Sequence, residues 1–223
     1  MSSRDAILGR IRRSLGASGV DATRLAAVRH RLTETPVNVV PARGQLPAAE
    51  RVELFVRKAS DIFATVARID HRDDIPAAVA DYLRGRNLPQ AIRRGEDPRL
   101  AGLPWQREAQ LAVAIGPSAG QDLAGLSYAD AGVAETGTVV LTSGVNNPTT
   151  LNFLPDHHIV VVDASTVAGD YETVWADLRR RFGAGAMPRT VNLVTGPSRS
   201  ADIEETLLLG AHGPRSLHIL VVG

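Results

Sequence analysis

The residues with the most capacity for chemistry lie in two short segments, TGPSRSADIE (Thr195 to Glu204) and AETGTVVL (Ala134 to Leu141). In the first, Gly196 permits a tight turn, Pro197 fixes the chain direction, and Ser198 or Ser200 can cap a helix beginning near Ala201. Free amides at such a helix start attract anions, and Arg199 can add a bidentate contact to a carboxylate or phosphate. Asp202 suits the positive end of the helix dipole but repels an anion placed too close. A well-capped strand-to-helix turn uses the same residue types, so the pattern alone leaves both readings open. In the second segment, Glu135-Thr136-Gly137-Thr138 joins the apolar runs GVA and TVVL and presents the glutamate at a bend. A carboxylate there can be a general base, a nucleophile toward an activated acyl group, a ligand-positioning acceptor or a cap on its own turn. His212, in GAHGP, follows the expected helix, where a histidine is either a catalyst or a structural donor.

Composition removes other chemistries. The chain has 223 residues and no cysteine, which excludes disulfides, thiolate zinc, cysteine nucleophiles and any iron–sulfur cluster held by its own thiolates. Its six histidines form no H-x-H or H-E-x-x-H pattern, and adjacent His157 and His158 on a strand point to opposite faces, so no metal site is expected. There is no G-x-S-x-G elbow and neither phosphate-binding glycine pattern. With 25 basic and 24 acidic residues the net charge is +1 and aromatics are 4%, which gives no reason to expect a nucleic-acid partner. No apolar run approaches the roughly 20 residues of a membrane span, and a soluble cytoplasmic protein is expected.

The elements that must position these segments follow from periodicity. Ile7, Leu8, Ile11 and Leu15 fall at helical spacing among arginines, giving a basic amphipathic helix whose stripe needs cover from its own domain, a second copy or another partner. Residues 16–47 read as a polar connector, so 1–47 form an N-terminal arm and 48–223 the main domain. Helices are expected over AAERVELFVRKASDIF, DDIPAAVADYLRGRNL, YETVWADLRRRF and ADIEETLLLG. The runs LAVAI, HIVVVD, VNLVTG and LHILVVG are apolar on both faces, as strands covered on both sides must be. The expected fold is a three-layer α/β domain with a mostly parallel, Rossmann-like sheet.

AETGTVVL, LPDHHIVVV (Leu154 to Val162), TGPSRSADIE and GAHGP, in this order, resemble the lactate-utilisation protein C family, whose domain is called LUD. The resemblance implies a fold similar to the glucosamine-phosphate isomerase, ribose-phosphate isomerase and CoA-transferase group. It also implies a role in oxidising L-lactate to pyruvate beside cysteine-rich and iron–sulfur partner proteins. On that view the chain holds no cofactor itself. It is an accessory or regulatory subunit with a cleft for a small anionic metabolite, lined by Thr136, Gly137, Thr138, Gly196, Pro197, Ser198, Arg199, Ser200 and Asp202. The alternative is a free-standing enzyme of the CoA-transferase or sugar-phosphate isomerase type, with Glu135 as nucleophile or base and His212 in a supporting catalytic role.

Overall fold

The structure, a computed structural model, describes residues 2–16, 21–34, 37–183, 185–203 and 206–223. The chain divides into two compact units, residues 1–39 and 40–223.

The smaller unit contains helices α1 (Ser3–Ser14) and α2 (Ala22–Thr33), neither of which buries a residue. Ser2 and Asp5 close a reciprocal capping box at the start of α1. Helix α2 lies within the segment that reads as a polar connector. Asp21 caps it by accepting from the Arg24 amide at 3.0 Å, and Leu25, Val28 and Leu32 follow helical spacing.

The larger unit begins with α3 (Ala48–Asp61), followed by β1 (Thr65–Ile69), α4 (Ile75–Gly85), β2 (Ala91–Arg94), the short α5 (Pro98–Ala101), β3 (Ala112–Ile115) and β4 (Ala124–Tyr128). Strands β5 (Ala131–Val133) and β6 (Thr138–Thr142) come next, then α6 (Thr149–Phe153), β7 (His157–Asp163), β8 (Val167–Ala168) and α7 (Tyr171–Phe182). Strands β9 (Val191–Val194), β10 (Arg199–Ile203), β11 (Thr206–Leu209) and β12 (Ser216–Val222) complete it. Pro76 sits in the first turn of α4, where its missing amide hydrogen costs nothing.

A six-stranded sheet in the order β1-β12-β7-β4-β2-β3, parallel throughout, forms the centre. Its middle strands are buried on both faces. Val160 and Val162 of β7 with Ile219 and Val221 of β12 pack against Phe55 and Ala59 of α3, while Ile159, Val161, Leu220 and Val222 face Val79 and Leu83 of α4. The layered, Rossmann-like α/β architecture is the one expected from the two-sided apolar runs. His157 and His158 also part as the strand period demands. His157 Nδ1 meets the Tyr82 hydroxyl of α4 at 2.9 Å, and the fully buried His158 meets Ser127 Oγ at 3.1 Å.

Two expectations are corrected. VNLV does not join the parallel sheet. As β9 it pairs antiparallel with β6 in a second sheet ordered β8-β5-β6-β9, where Asn192 is buried and Leu193 exposed. A four-residue apolar run cannot announce which sheet it will enter. The helix expected over ADIEETLLLG is absent, because β10 and β11 form an antiparallel hairpin with Arg199 opposite Leu209 and Ser200 opposite Leu208. The Ser198 amide donates to the Pro214 carbonyl at 2.8 Å and the Gly210 amide to the Ser198 carbonyl at 3.0 Å. The second bond extends the hairpin past Arg199 and Leu209 and the first ties it to the segment ahead of β12, and these tertiary partners override the helical propensity of its residues.

Candidate functional site

The loss of that helix removes the expected cluster of free helix-start amides. Ser198 Oγ instead accepts from the His212 amide at 3.3 Å, which shows that the GAHGP turn folds back onto the serine segment. Arg199 stacks its guanidinium 3.5 Å from the centre of the Phe63 ring and stays exposed. Ser200 and Asp202 lie on β10, and Glu204 falls outside the described residues.

The Glu135 bend is a neighbour of this segment. Thr138 opens β6 and its hydroxyl lies 2.7 Å from that of Thr195, which follows β9. It also meets Thr136 at 2.7 Å and the Tyr171 hydroxyl at 2.8 Å, so the single donor and two acceptors of this buried group are fully used. Glu135 itself is buried, with Oε2 3.4 Å from Arg43 Nη2 and its amide donating to the Gly169 carbonyl at 3.2 Å. Residues 41–46 strap this corner. Gly44 packs directly on Gly169, and Gln45 donates to Asp170 at 2.8 Å. Burial pushes the Asp170 carboxyl up, but bonds from the Thr173 amide, Gln45 and the Thr173 hydroxyl outweigh this and hold it below the ordinary value.

These segments share one corner, at the amino end of the parallel strands. Gly137 presses on the backbone of Lys58 and Ala59, and Gly196 on the Ile62 carbonyl, where α3 hands the chain to β1. Ser198 pairs with Pro214, just ahead of β12. Ligands of open α/β sheets gather at the opposite, carboxyl end, at the point where crossovers diverge.

That point lies between β2 and β4, because β2 sends the chain outward to edge strand β3 while β4 sends it inward toward β7. A cleft of about 470 Å³ opens there. It is bounded by Asp97 and Arg99 after β2, Tyr128 and Asp130 after β4, the turn Thr142–Asn147, and Arg181 at the end of α7. Buried Asp97 accepts from Arg99 through both oxygens, at 2.7 and 3.0 Å, and also caps α5. The Arg99 guanidinium lies 4.0 Å from the centre of the Tyr128 ring. The Tyr128 hydroxyl donates to Asp163 at 2.7 Å. Burial and this neighbouring carboxylate push its pKa up, so it remains a neutral donor. Asp130 is held by the Thr142 amide and by Arg181 Nη1, each at 2.7 Å.

One polar atom at this cleft has no partner. Asn147 is buried and its Nδ2 donates to the Thr142 carbonyl at 3.4 Å, which identifies Oδ1 as the orphaned acceptor. Just behind the turn, Gly95 touches Asn146, and Arg94 is buried with its Nε likewise unpaired and its pKa lowered by that burial. Sequence reasoning passed over Arg94, Asp97, Arg99, Tyr128, Asp130, Asn147 and Arg181. The usable signal was Asp97-Pro98-Arg99 directly after an apolar run, together with the Asn-Asn-Pro turn. Among the described residues, no three His, Cys, Asp or Glu side chains gather to hold a metal ion, and no helix is long and apolar enough to cross a membrane.

Comparison with known proteins adds kinship to this geometry. The sequence profile described as LUD domain matches residues 52–222. A lactate utilization protein C of Halalkalibacterium halodurans is 38% identical over 99 residues, a match covering 44% of this chain and 43% of that relative. The chain thus spans less than half the length of that relative. Protein YkgG of Escherichia coli is 30% identical over 191 residues, covering 80% of this chain and 82% of YkgG. A crystal structure of a DUF162 family protein from Deinococcus radiodurans has the same fold, with a TM-score of 0.56 at 24% identity over 80% of this chain and 99% of that one.

Proposed function

Since the chain belongs to the LUD domain family, we propose that it serves in L-lactate utilisation as a component that holds a small hydroxy or keto acid while partner proteins carry the electrons. The observation that carries the reading is the switch-point cleft, where Arg99 and Arg181 stand beside the unpartnered acceptor of Asn147. A carboxylate placed there meets guanidinium donors, and a 2-hydroxyl can give Asn147 Oδ1 its missing hydrogen bond. A keto oxygen cannot, since it has no hydrogen to donate. The sequence supports the division of labour, because a chain without cysteine cannot ligate a cluster through thiolates. The iron–sulfur and cysteine-rich partners belong to the same proposal.

Calorimetry with L-lactate and pyruvate is expected to show both binding, with lactate the tighter. Arg181→Ala is expected to weaken lactate by about tenfold, the effect of one charge-assisted bond. This variant leaves Asp130 its two bonds to Thr142 and keeps the fold. Absence of lactate binding, or full affinity in the variant, would overturn the assignment.

A transferase reading centred on Glu135 has one observation in its favour, a buried carboxylate with a cationic neighbour at 3.4 Å. Its signature is a glutamyl thioester. With the carboxylate only 4% exposed and strapped by Arg43, incubation with acetyl-CoA is expected to leave the peptide containing Glu135 at its unmodified mass. An adduct there would favour the transferase over the binding component.

A further inference from the structure

A second cleft, of about 430 Å³, adjoins the first at the carboxyl end of the sheet, and the two share Asp130 and Arg181 as a common wall. It lies between the first turns of α3, strand β8 and the inward side of α7. Its floor is aliphatic, from Val167, Val174 and Leu178, and its rim carries Arg51, Arg180 and Arg181. The charge balance on the rim is uneven. Arg181 is paired with Asp130 at 2.7 Å and Arg180 with Asp177 at 2.6 Å, whereas Arg51 makes no ion pair among the described residues. Its Nε is buried and has no hydrogen-bond partner.

A buried guanidinium N–H without an acceptor is costly and is usually satisfied by something. We propose that this second cleft binds an anionic molecule with an aliphatic body, its carboxylate taken by Arg51 and its chain lying on Val167, Val174 and Leu178. Side-on contact of a carboxylate with Nε and one Nη satisfies the orphaned donor in the geometry that guanidinium groups favour. The apolar floor excludes a purely ionic guest such as phosphate as the best fit, and the surplus charge excludes a purely neutral one. The volume lies in the range of about 300–1,000 Å³ typical of small-molecule pockets, which leaves room for an aliphatic chain beside the carboxylate. The inference is distinguishable from the lactate reading, which uses Asn147 and Arg99 on the other side of the shared wall and has only Arg181 in common with this cleft, whereas Arg51 lines this cleft alone.

The test titrates the full chain with butanoate, hexanoate and octanoate, following amide chemical shifts. Affinity is expected to rise by roughly threefold per added methylene, somewhat below full burial of each group, with shifts centred on Val167, Val174 and Leu178. Arg51→Gln is expected to reduce octanoate affinity by about tenfold while leaving L-lactate affinity unchanged. Among the described residues the Arg51 guanidinium has no ion-pair or hydrogen-bond partner to lose, and a matching thermal melt confirms that the variant is folded. Affinity independent of chain length, or equal octanoate binding by Arg51→Gln, overturns the proposal. Loss of lactate binding in Arg51→Gln would show a single merged site and overturn it as well.

Discussion

Gly137→Ala is expected to destabilise the protein by roughly 3–5 kcal/mol, from left-handed backbone strain added to steric overlap. Gly137 holds φ at +71°, a conformation that a side chain makes costly. Lack of space costs more than the strain. A Cβ at this position would stand 2.2 Å from the Ala59 amide nitrogen and 2.6 Å from the Lys58 carbonyl carbon. Both are backbone atoms inside α3, so no rotamer change relieves the clash, and the helix must retreat from the β5–β6 bend. Retreat opens the packing of Phe55 and Ala59 against Val139 and Leu141. Against a typical domain stability of about 5–15 kcal/mol, the loss is a large fraction of the whole. Gly144→Ala provides the comparison, since a Cβ there meets nothing within 4 Å. Chemical denaturation reads both variants, and a Gly137→Ala midpoint equal to that of Gly144→Ala would contradict the packing explanation.

The same bend shows how far the sequence carries the fold. Glu135 is recognisable as a bend residue because GVA and TVVL are short, apolar and too close together for anything but a hairpin. The parallel strands β7 and β12 are recognisable because burial on both faces demands unbroken apolar runs, and α3, α4 and α7 because a one-sided stripe demands helical spacing. Strand β4 is not, since AGLSY, although buried at all five positions, carries Gly and Ser where a strand signal needs branched residues. Helix α2 is hidden by the turn-forming residues on either side of it. The hairpin β10–β11 reads as a helix because its stability comes from partners at Pro214 and Gly210, which local propensity does not register.

The site is less legible than the fold, for a topological reason. Asp97, Tyr128 and Asn147 are neighbours only because β2 and β4 pair while their crossovers leave in opposite directions. Strand order is a global property, so no window of sequence identifies the switch point. Thr195 to Ser200 carries residue types suited to anion binding but sits beside α3 at the other end of the sheet, where Arg199 lies on Phe63.

Lowering the pH from 7 to about 4.5 is expected to remove on the order of 5 kcal/mol of stability, through two histidines kept neutral by the fold. Burial pushes His158 down to about 3 and, with the Arg86 charge adding to it against a bond to Thr65, His218 down to about 4. His157 is also lowered by burial. His158 donates through Nε2 to Ser127 Oγ, which donates onward to Asn152 Oδ1, while its Nδ1 is buried without a partner and has nowhere to place a second proton's charge. His218 stacks on Tyr82 with centroids 4.3 Å apart and meets the Thr65 hydroxyl at 2.8 Å. In the unfolded chain both titrate near 6.5, so between that value and their folded values the unfolded state binds more protons and each unit of acidification favours it. The contribution is complete above about pH 7, declines through the window from 6.5 to 4 for His218, and continues to about 3 for His158. Urea denaturation at steps between pH 7.5 and 4.5 measures the slope, about 1.4 kcal/mol per pH unit for each histidine at its steepest. His158→Gln, whatever its stability at neutral pH, is expected to show a slope reduced by about half, because only the titrating proton is removed from the comparison. Equal slopes in the two proteins would assign the acid sensitivity to other groups.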